Sequence, residues 1–157
     1  MKVNEMKLTR REVLGVSASS AFAMSSGLSV VSAYSATEPT AEDRIKEFTG
    51  GAEVAEGKLD LTTPEIAENG NTVPIAVEVD SPMTDEDHVN SVMILADGNP
   101  NPDVVTFNFS KGSGIAAAKT RIRLAKTQNI IAVAKMSDGS FQMAKAQVKV
   151  TIGGCGG

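Results

Sequence analysis

The residue with the most distinctive chemistry is Cys155, the single cysteine of the 157-residue chain, in the run Gly153-Gly154-Cys155-Gly156-Gly157. A thiolate can hold a substrate as a covalent adduct or join a second thiol in a disulfide. Two glycines on each side remove every neighbouring side chain, so the local sequence offers nothing to bury the sulfur. At full stretch Gly153 to Gly157 spans roughly 17 Å, enough to place a thiol inside a partner's cleft. Glycine also accepts whatever backbone path such a cleft requires. No Lys, Arg or His lies within five residues of Cys155. Its pKa is therefore expected to stay near ~8.5, with a small thiolate fraction at neutral pH. A catalytic cysteine needs a base and an oxyanion stabiliser. This one has neither beside it and reads as a handle that other proteins activate.

The remaining candidates for chemistry are weaker. His88, the sole histidine, sits in Asp85-Glu86-Asp87-His88, which reads as a solvated turn before a strand. One histidine and one cysteine cannot supply the usual zinc spacings, so no metal is expected. No Gly-x-Ser-x-Gly, phosphate loop or dinucleotide fingerprint occurs, and Lys111-Gly112-Ser113-Gly114 reads as a turn. The seven methionines fall mostly at strand or leader positions and suit core filling. No cofactor is expected.

The N-terminus is set apart from the domain. Residues 1–35 run from charged (Lys2, Lys7, Arg10, Arg11) through a weakly apolar stretch, Val13 to Val31, to small residues. That order is a secretory signal. Arg10 and Arg11, in Thr9-Arg10-Arg11-Glu12-Val13-Leu14, mark it as a twin-arginine signal. Cleavage is expected after Ala33 or Ser35, giving a mature start between Tyr34 and Thr37. Serines dilute the apolar stretch, which makes it a poor membrane span. The chain has 15 basic and 19 acidic residues, and residues 1–33 hold four and two of them; the remainder has eleven and seventeen, a net of −6. Nucleic acid and anionic membranes need clustered positive charge and are not expected partners. An odd cysteine in a protein sent to the periplasm suggests a reactive thiol or an intermolecular bond.

Residues 36–152 must then form the domain that positions the tail. Ala41 to Phe48 suits a short helix with Thr40 as N-cap, Glu42 and Asp43 in its first turn, and Gly50-Gly51 to end it. From Gly57 the hydrophobic period changes to two. Strands are predicted at Lys58–Thr62, Val73–Val79, Val89–Asp97, Val105–Phe109, Ala116–Ala125, Asn129–Met136 and Phe141–Ile152. The Asn129 run is near-continuously apolar, as in a central strand, and Asp138-Gly139 suits a hairpin turn. Ile122 and Leu124 should face inward and Arg121 and Arg123 outward. On the last strand Ala144, Ala146, Val148, Val150 and Ile152 share one face. Seven short strands without intervening helices predict an all-β fold, an immunoglobulin-like antiparallel β-sandwich lacking its disulfide. A short N-terminal helix precedes it, and a flexible glycine-rich arm at 153–157 follows.

The chain resembles a known family at three places. These are the terminal Gly-Gly-Cys-Gly-Gly, the segment Thr63-Pro64-Glu65-Ile66-Ala67-Glu68-Asn69-Gly70-Asn71-Thr72-Val73-Pro74 leading into a strand, and the twin-arginine leader. They are similar to the SoxY family, the sulfur-carrier subunits of the Sox thiosulfate-oxidising system, over essentially the whole mature chain. The resemblance implies a heterodimer with a small leaderless SoxZ-like β-sandwich, the pair crossing the membrane folded. It also implies that Cys155 is joined to thiosulfate by a c-type haem enzyme (SoxXA). A manganese-dependent hydrolase (SoxB) then removes the terminal sulfone as sulfate, and a sulfane dehydrogenase (SoxCD), where present, oxidises the remaining sulfur. The carrier itself is then not an enzyme, and Gly153, Gly154, Gly156 and Gly157 form a swinging arm.

Two other readings fit parts of the sequence. A structural β-sandwich subunit could dimerise through a Cys155 disulfide. The terminal Gly156-Gly157 also resembles ubiquitin-like carriers that load sulfur on a carboxylate, but those are activated with ATP, which an exported protein would not meet.

Overall fold

The computed structural model describes residues 38–152. The leader with Arg10 and Arg11 and the tail Gly153–Gly157 with Cys155 lie outside the described residues.

The helix forms where its caps require it. Helix α1 (Ala41–Thr49) begins at Thr40, whose side-chain oxygen accepts from the Asp43 amide at 3.2 Å. The Asp43 carboxylate in turn accepts from the Thr40 amide at 3.0 Å and the Thr40 hydroxyl at 2.7 Å, completing a reciprocal capping box. Gly50, at φ 64°, takes the left-handed conformation that ends the helix without a Cβ clash. Ala41, Ile45 and Phe48 turn to the sheet, with Phe48 edge-on to Phe141 at 5.9 Å between ring centres.

Nine strands follow among the described residues: β1 (Val54–Ala55), β2 (Leu59–Thr62), β3 (Ile66–Ala67), β4 (Val73–Val79), β5 (Val89–Ala96), β6 (Asp103–Asn108), β7 (Ala116–Ile122), β8 (Gln128–Met136) and β9 (Phe141–Val150). The larger sheet runs β1-β9-β8-β5-β6, with β3 also paired to β9; the smaller sheet runs β2-β4-β7. All seven predicted strands are present. The β8–β9 hairpin turns at Asp138-Gly139, where Gly139 adopts φ 84°.

The residues of β8 explain its continuous apolar run. Ile130, Ala132, Ala134 and Met136 face the smaller sheet and join the main core with Val73, Ile75, Val77 and Leu124. Ile131 and Val133 face the other way, into a second cluster with Met93, Leu95 and Phe141 beneath α1. Strands β5 and β8 are thus buried on both faces, and the sandwich gains a third, helical layer.

Three expectations need correction. The sheet is not purely antiparallel, because β1 and β3 each pair parallel with β9. These two-residue strands carry too few residues to show a period. Strands β7 and β9 each end short of the Ala125 and Ile152 that alternation predicts. Strand β7 stops at Ile122, although Leu124 is fully buried beyond it, and β9 stops at Val150. Ile152 is 68% exposed and does not share the buried face of β9.

The capping box makes the start of α1 acid-sensitive. Hydrogen bonds from the Thr40 side chain and then the Thr40 backbone hold the Asp43 carboxyl below its ordinary value. A lowered folded-state pKa contributes stability above the unfolded value that is lost as pH falls through the folded one. Proton resonances of α1 should therefore lose protection on acidification below the ordinary Asp range, before the sandwich unfolds. Thr40→Ala should raise the Asp43 midpoint and cost about 1 kcal/mol, measured by carboxyl NMR titration and denaturant unfolding.

Candidate functional site

The chain is held at the point where the glycine tail begins. At the end of β9 successive amides alternate between two sides. Lys149 N donates to Glu65 O at 2.9 Å and Thr151 N to Ala67 O at 3.1 Å. Between them, Val150 N donates to the Thr127 hydroxyl at 2.9 Å. The Thr151 hydroxyl adds a bond to Glu68 O at 3.0 Å. Gly70 N then donates to Ile152 O at 2.8 Å, and Gly70 O accepts from Leu124 N at 2.8 Å. Residues 65–70 therefore form a strap that grips β9 to its last described residue. Cys155 follows three residues later in the sequence, outside the described residues.

The strap explains the Thr63–Pro74 segment. Glu65 to Ala67 run beside β9 as the parallel strand β3, and Ala67 is buried while Ile66 is 57% exposed. Asn69 Oδ1 accepts from Asn71 N at 2.9 Å and tightens the turn that brings Gly70 to Ile152. Val73 then enters β4. Pro74 is tolerated there because β2 pairs with β4 only from Ala76 onward, so Pro74 has one neighbouring strand, β7.

Over the outer face of the smaller sheet lies a trough of about 680 Å³. Its floor is Pro74 and Ala76, whose side chains are short. Arg121 pairs with Pro74 and Lys119 with Ala76 in the register, so the two cations stand along one wall. Thr62, opposite Ala76 on β2, and Pro64 form the other wall. Among the described residues neither Lys119 nor Arg121 takes part in an ion pair, whereas Arg44 pairs with Glu47 and Asp103, and Lys111 with Asp85.

The other sequence candidates have local roles. His88 Nδ1 lies 3.0 Å from Thr84 O, and its amide donates to the Ser137 hydroxyl at 3.1 Å, in the loop before β5. Lys111–Ser113 is a single 3₁₀ turn. Among the described residues no three His, Cys, Asp or Glu side chains gather as a metal site, and no helix is long and apolar enough to cross a membrane. Met83, Met93 and Met136 are buried in the cores. Arg121 and Arg123 face outward as expected. Lys119 as a wall residue was missed. Its only signal was its two-residue spacing from Arg121, and the trough appears only when β2, β4 and β7 are paired.

Comparisons with known proteins bear on the fold and the family. The family model for sulfur oxidation protein SoxY matches residues 45–155, a span that includes the strap and Cys155. The solved structure of the sulfur carrier protein SoxY from Chlorobium limicola f thiosulfatophilum is 30% identical, with a TM-score of 0.59, over 71% of this chain and 96% of that one. A superoxide reductase (neelaredoxin) from Ignicoccus hospitalis aligns over 74% of this chain and 98% of its own, at 15% identity and a TM-score of 0.54. A putative superoxide reductase from Thermotoga maritima is 20% identical over 66% and 89%, with a TM-score of 0.52. These last two share the sandwich fold alone. No curated protein matches in sequence.

The grip at the root is testable. Thr151→Val removes the hydroxyl bond to Glu68 O while keeping the branched shape. It should cost about 0.5–1.5 kcal/mol and speed amide exchange at Gly70 and Thr151 without altering exchange in β5 or β8. Unchanged exchange at Gly70 would show that the strap does not depend on this bond.

Proposed function

The chain belongs to the SoxY family of sulfur oxidation proteins, and from that premise we propose that it is a periplasmic carrier holding thiosulfate-derived sulfur covalently on Cys155. Its general role is that of a sulfur carrier in sulfur oxidation. What supports the finer reading is the position of the cysteine in the sequence. The family match reaches Cys155, and the described fold grips the chain up to Ile152, three residues short of it. The thiol is thus attached close to a fixed point, in a run whose sequence contains no acid, base or bulky side chain.

The chemistry follows from what the thiol can and cannot do. Joining a cysteine thiol to the outer sulfur of thiosulfate forms one S–S bond and releases two electrons and the thiol proton. Nothing beside Cys155 in sequence accepts electrons, so a SoxXA-like haem enzyme takes them. Hydrolysis of the resulting S-thiosulfonate by a SoxB-like enzyme cleaves the S–S bond to the sulfone, and water supplies the oxygen of the sulfate released. The remaining persulfide returns to the cycle after oxidation by a SoxCD-like enzyme. Such sulfur states are reversible on a cysteine, as a carrier requires. A SoxZ-like subunit completes the carrier, and Gly153, Gly154, Gly156 and Gly157 serve as its swinging arm. Arg10 and Arg11 direct export by the twin-arginine route.

Cys155→Ser should abolish thiosulfate-dependent sulfate formation in a reconstituted system while leaving the unfolding midpoint unchanged. Intact mass of protein isolated during growth on thiosulfate should show a reductant-labile adduct on the monomer. A doubled mass without adduct would instead identify a disulfide-linked dimer, and full activity of the serine variant would end the proposal.

A further inference from the structure

We propose that Asn69-Gly70 is a deamidation site held off by the seating of Ile152, so that conversion of Asn69 to an acid follows release of Ile152 and then loosens the strap for good. The inference concerns the strap alone and does not depend on what Cys155 carries.

The residue pair supplies the chemistry. Of the eight asparagines, Asn69 alone precedes a glycine. With no side chain on Gly70, its amide nitrogen is the least hindered nucleophile that a following residue can offer. Attack of that nitrogen on Asn69 Cγ closes a succinimide ring and breaks the bond to the side-chain nitrogen, which leaves as ammonia with the amide proton. Water then opens the ring. The net change is side-chain amide and water to carboxylate and ammonium, and no oxidant or reductant takes part. Opening at one carbonyl gives an aspartate. Opening at the other gives its iso form, in which the main chain runs through the side-chain carboxyl and is one methylene longer. Asn69 Oδ1, where negative charge develops during the attack, already accepts from Asn71 N at 2.9 Å. A donor aimed at that oxygen stabilises the tetrahedral intermediate. Asn69 and Asn71 are exposed, so water reaches the ring.

The fold holds the nucleophile back. Gly70 is buried, its N–H donates to Ile152 O at 2.8 Å, and its carbonyl accepts from Leu124 N at 2.8 Å. To react, the nitrogen must lose its proton and turn towards Asn69 Cγ, and both acts break the bond to Ile152. The site therefore reacts from a locally opened form in which Ile152 has lifted away. The iso product cannot reseat, because the added methylene moves Gly70 out of register with Ile152 and Leu124. A reversible opening thereby becomes a permanent one.

In the test, the mature chain, with its partner subunit where one co-purifies, is incubated in mildly alkaline buffer. The amide-to-acid mass gain is followed on the tryptic peptide Leu59–Lys111, and ammonia is measured in parallel. The same chain in urea gives the rate without the restraint, and the folded chain should convert well below it. Thr151→Val removes the neighbouring bond to Glu68 O. It should convert roughly fivefold faster than the parent when folded, the factor that follows from losing one hydrogen bond of ordinary strength, and at the parent's rate in urea. Asn69→Gln should remove the reaction from this peptide. After conversion, amide exchange at Leu124 and Thr151 should quicken while β5 and β8 stay unchanged. Equal rates in buffer and urea would overturn the proposal. So would a Thr151→Val protein whose Gly70 exchanges faster without faster conversion, or converted protein that exchanges like the parent. If Thr151→Val leaves Gly70 exchange unchanged, Thr127→Val, which removes the acceptor of Val150 N, is judged by the same two outcomes.

Discussion

The pairing of β9 on both of its edges is the constraint on which the rest depends. Strand β8 zips antiparallel along one edge from Gln128 to Lys135, and β1 and β3 take the two ends of the other edge. A strand that must hold the end of a domain would otherwise be an open edge, prone to fraying and to pairing with other chains. Here the chain makes β1, crosses to the smaller sheet as β2, and returns as β3, so one short segment closes the edge and ties the two sheets together. The cost is a strap with almost no hydrophobic content of its own: Ala67 alone is buried in β3. Its hold comes from backbone bonds, each worth about 1 kcal/mol.

That division suits a carrier. Up to Ile152 the chain is fixed by bonds to Ala67, Glu68 and Gly70. From Gly153 the sequence supplies no side chain except the thiol. The fold thus fixes where the tail is rooted, and the sequence beside the cysteine offers no charged or bulky side chain. A local base or cation would raise the thiolate fraction and, with it, reaction with any passing disulfide. The sequence beside Cys155 supplies neither.

How much of this was legible in the sequence depended on the range of the interactions. The Thr40 cap, the Asp138-Gly139 turn and the double-sided burial of β8 are local or periodic, and residue order states them directly. The strap was visible only as part of a resemblance, because β1 and β3 are too short for a period and their partner is some eighty residues away. Ile152 failed for a related reason. Alternation along β9 places it with Val148 and Val150, yet past Thr151 the backbone turns to Gly70, and the bond at Ile152 O takes precedence over burying one side chain. The trough had no local signal at all, since its floor and walls come from three strands with Pro74 set where β4 lacks its second neighbour.

Electrostatics decides how such a protein handles an anion. A net charge of −6 over the chain beyond residue 33 repels anions at long range. At physiological ionic strength, however, charges more than about 8 Å apart are largely screened, so the nearest groups outweigh the total. Glu78, the outward residue of β4 after Ala76, pairs with Ala117 and Asp60 and lies at the far end of the face from the root. The end nearest Gly70 carries Arg121 and Lys119 instead. The sheet face is thus polarised along its length, positive where the tail departs and negative beyond.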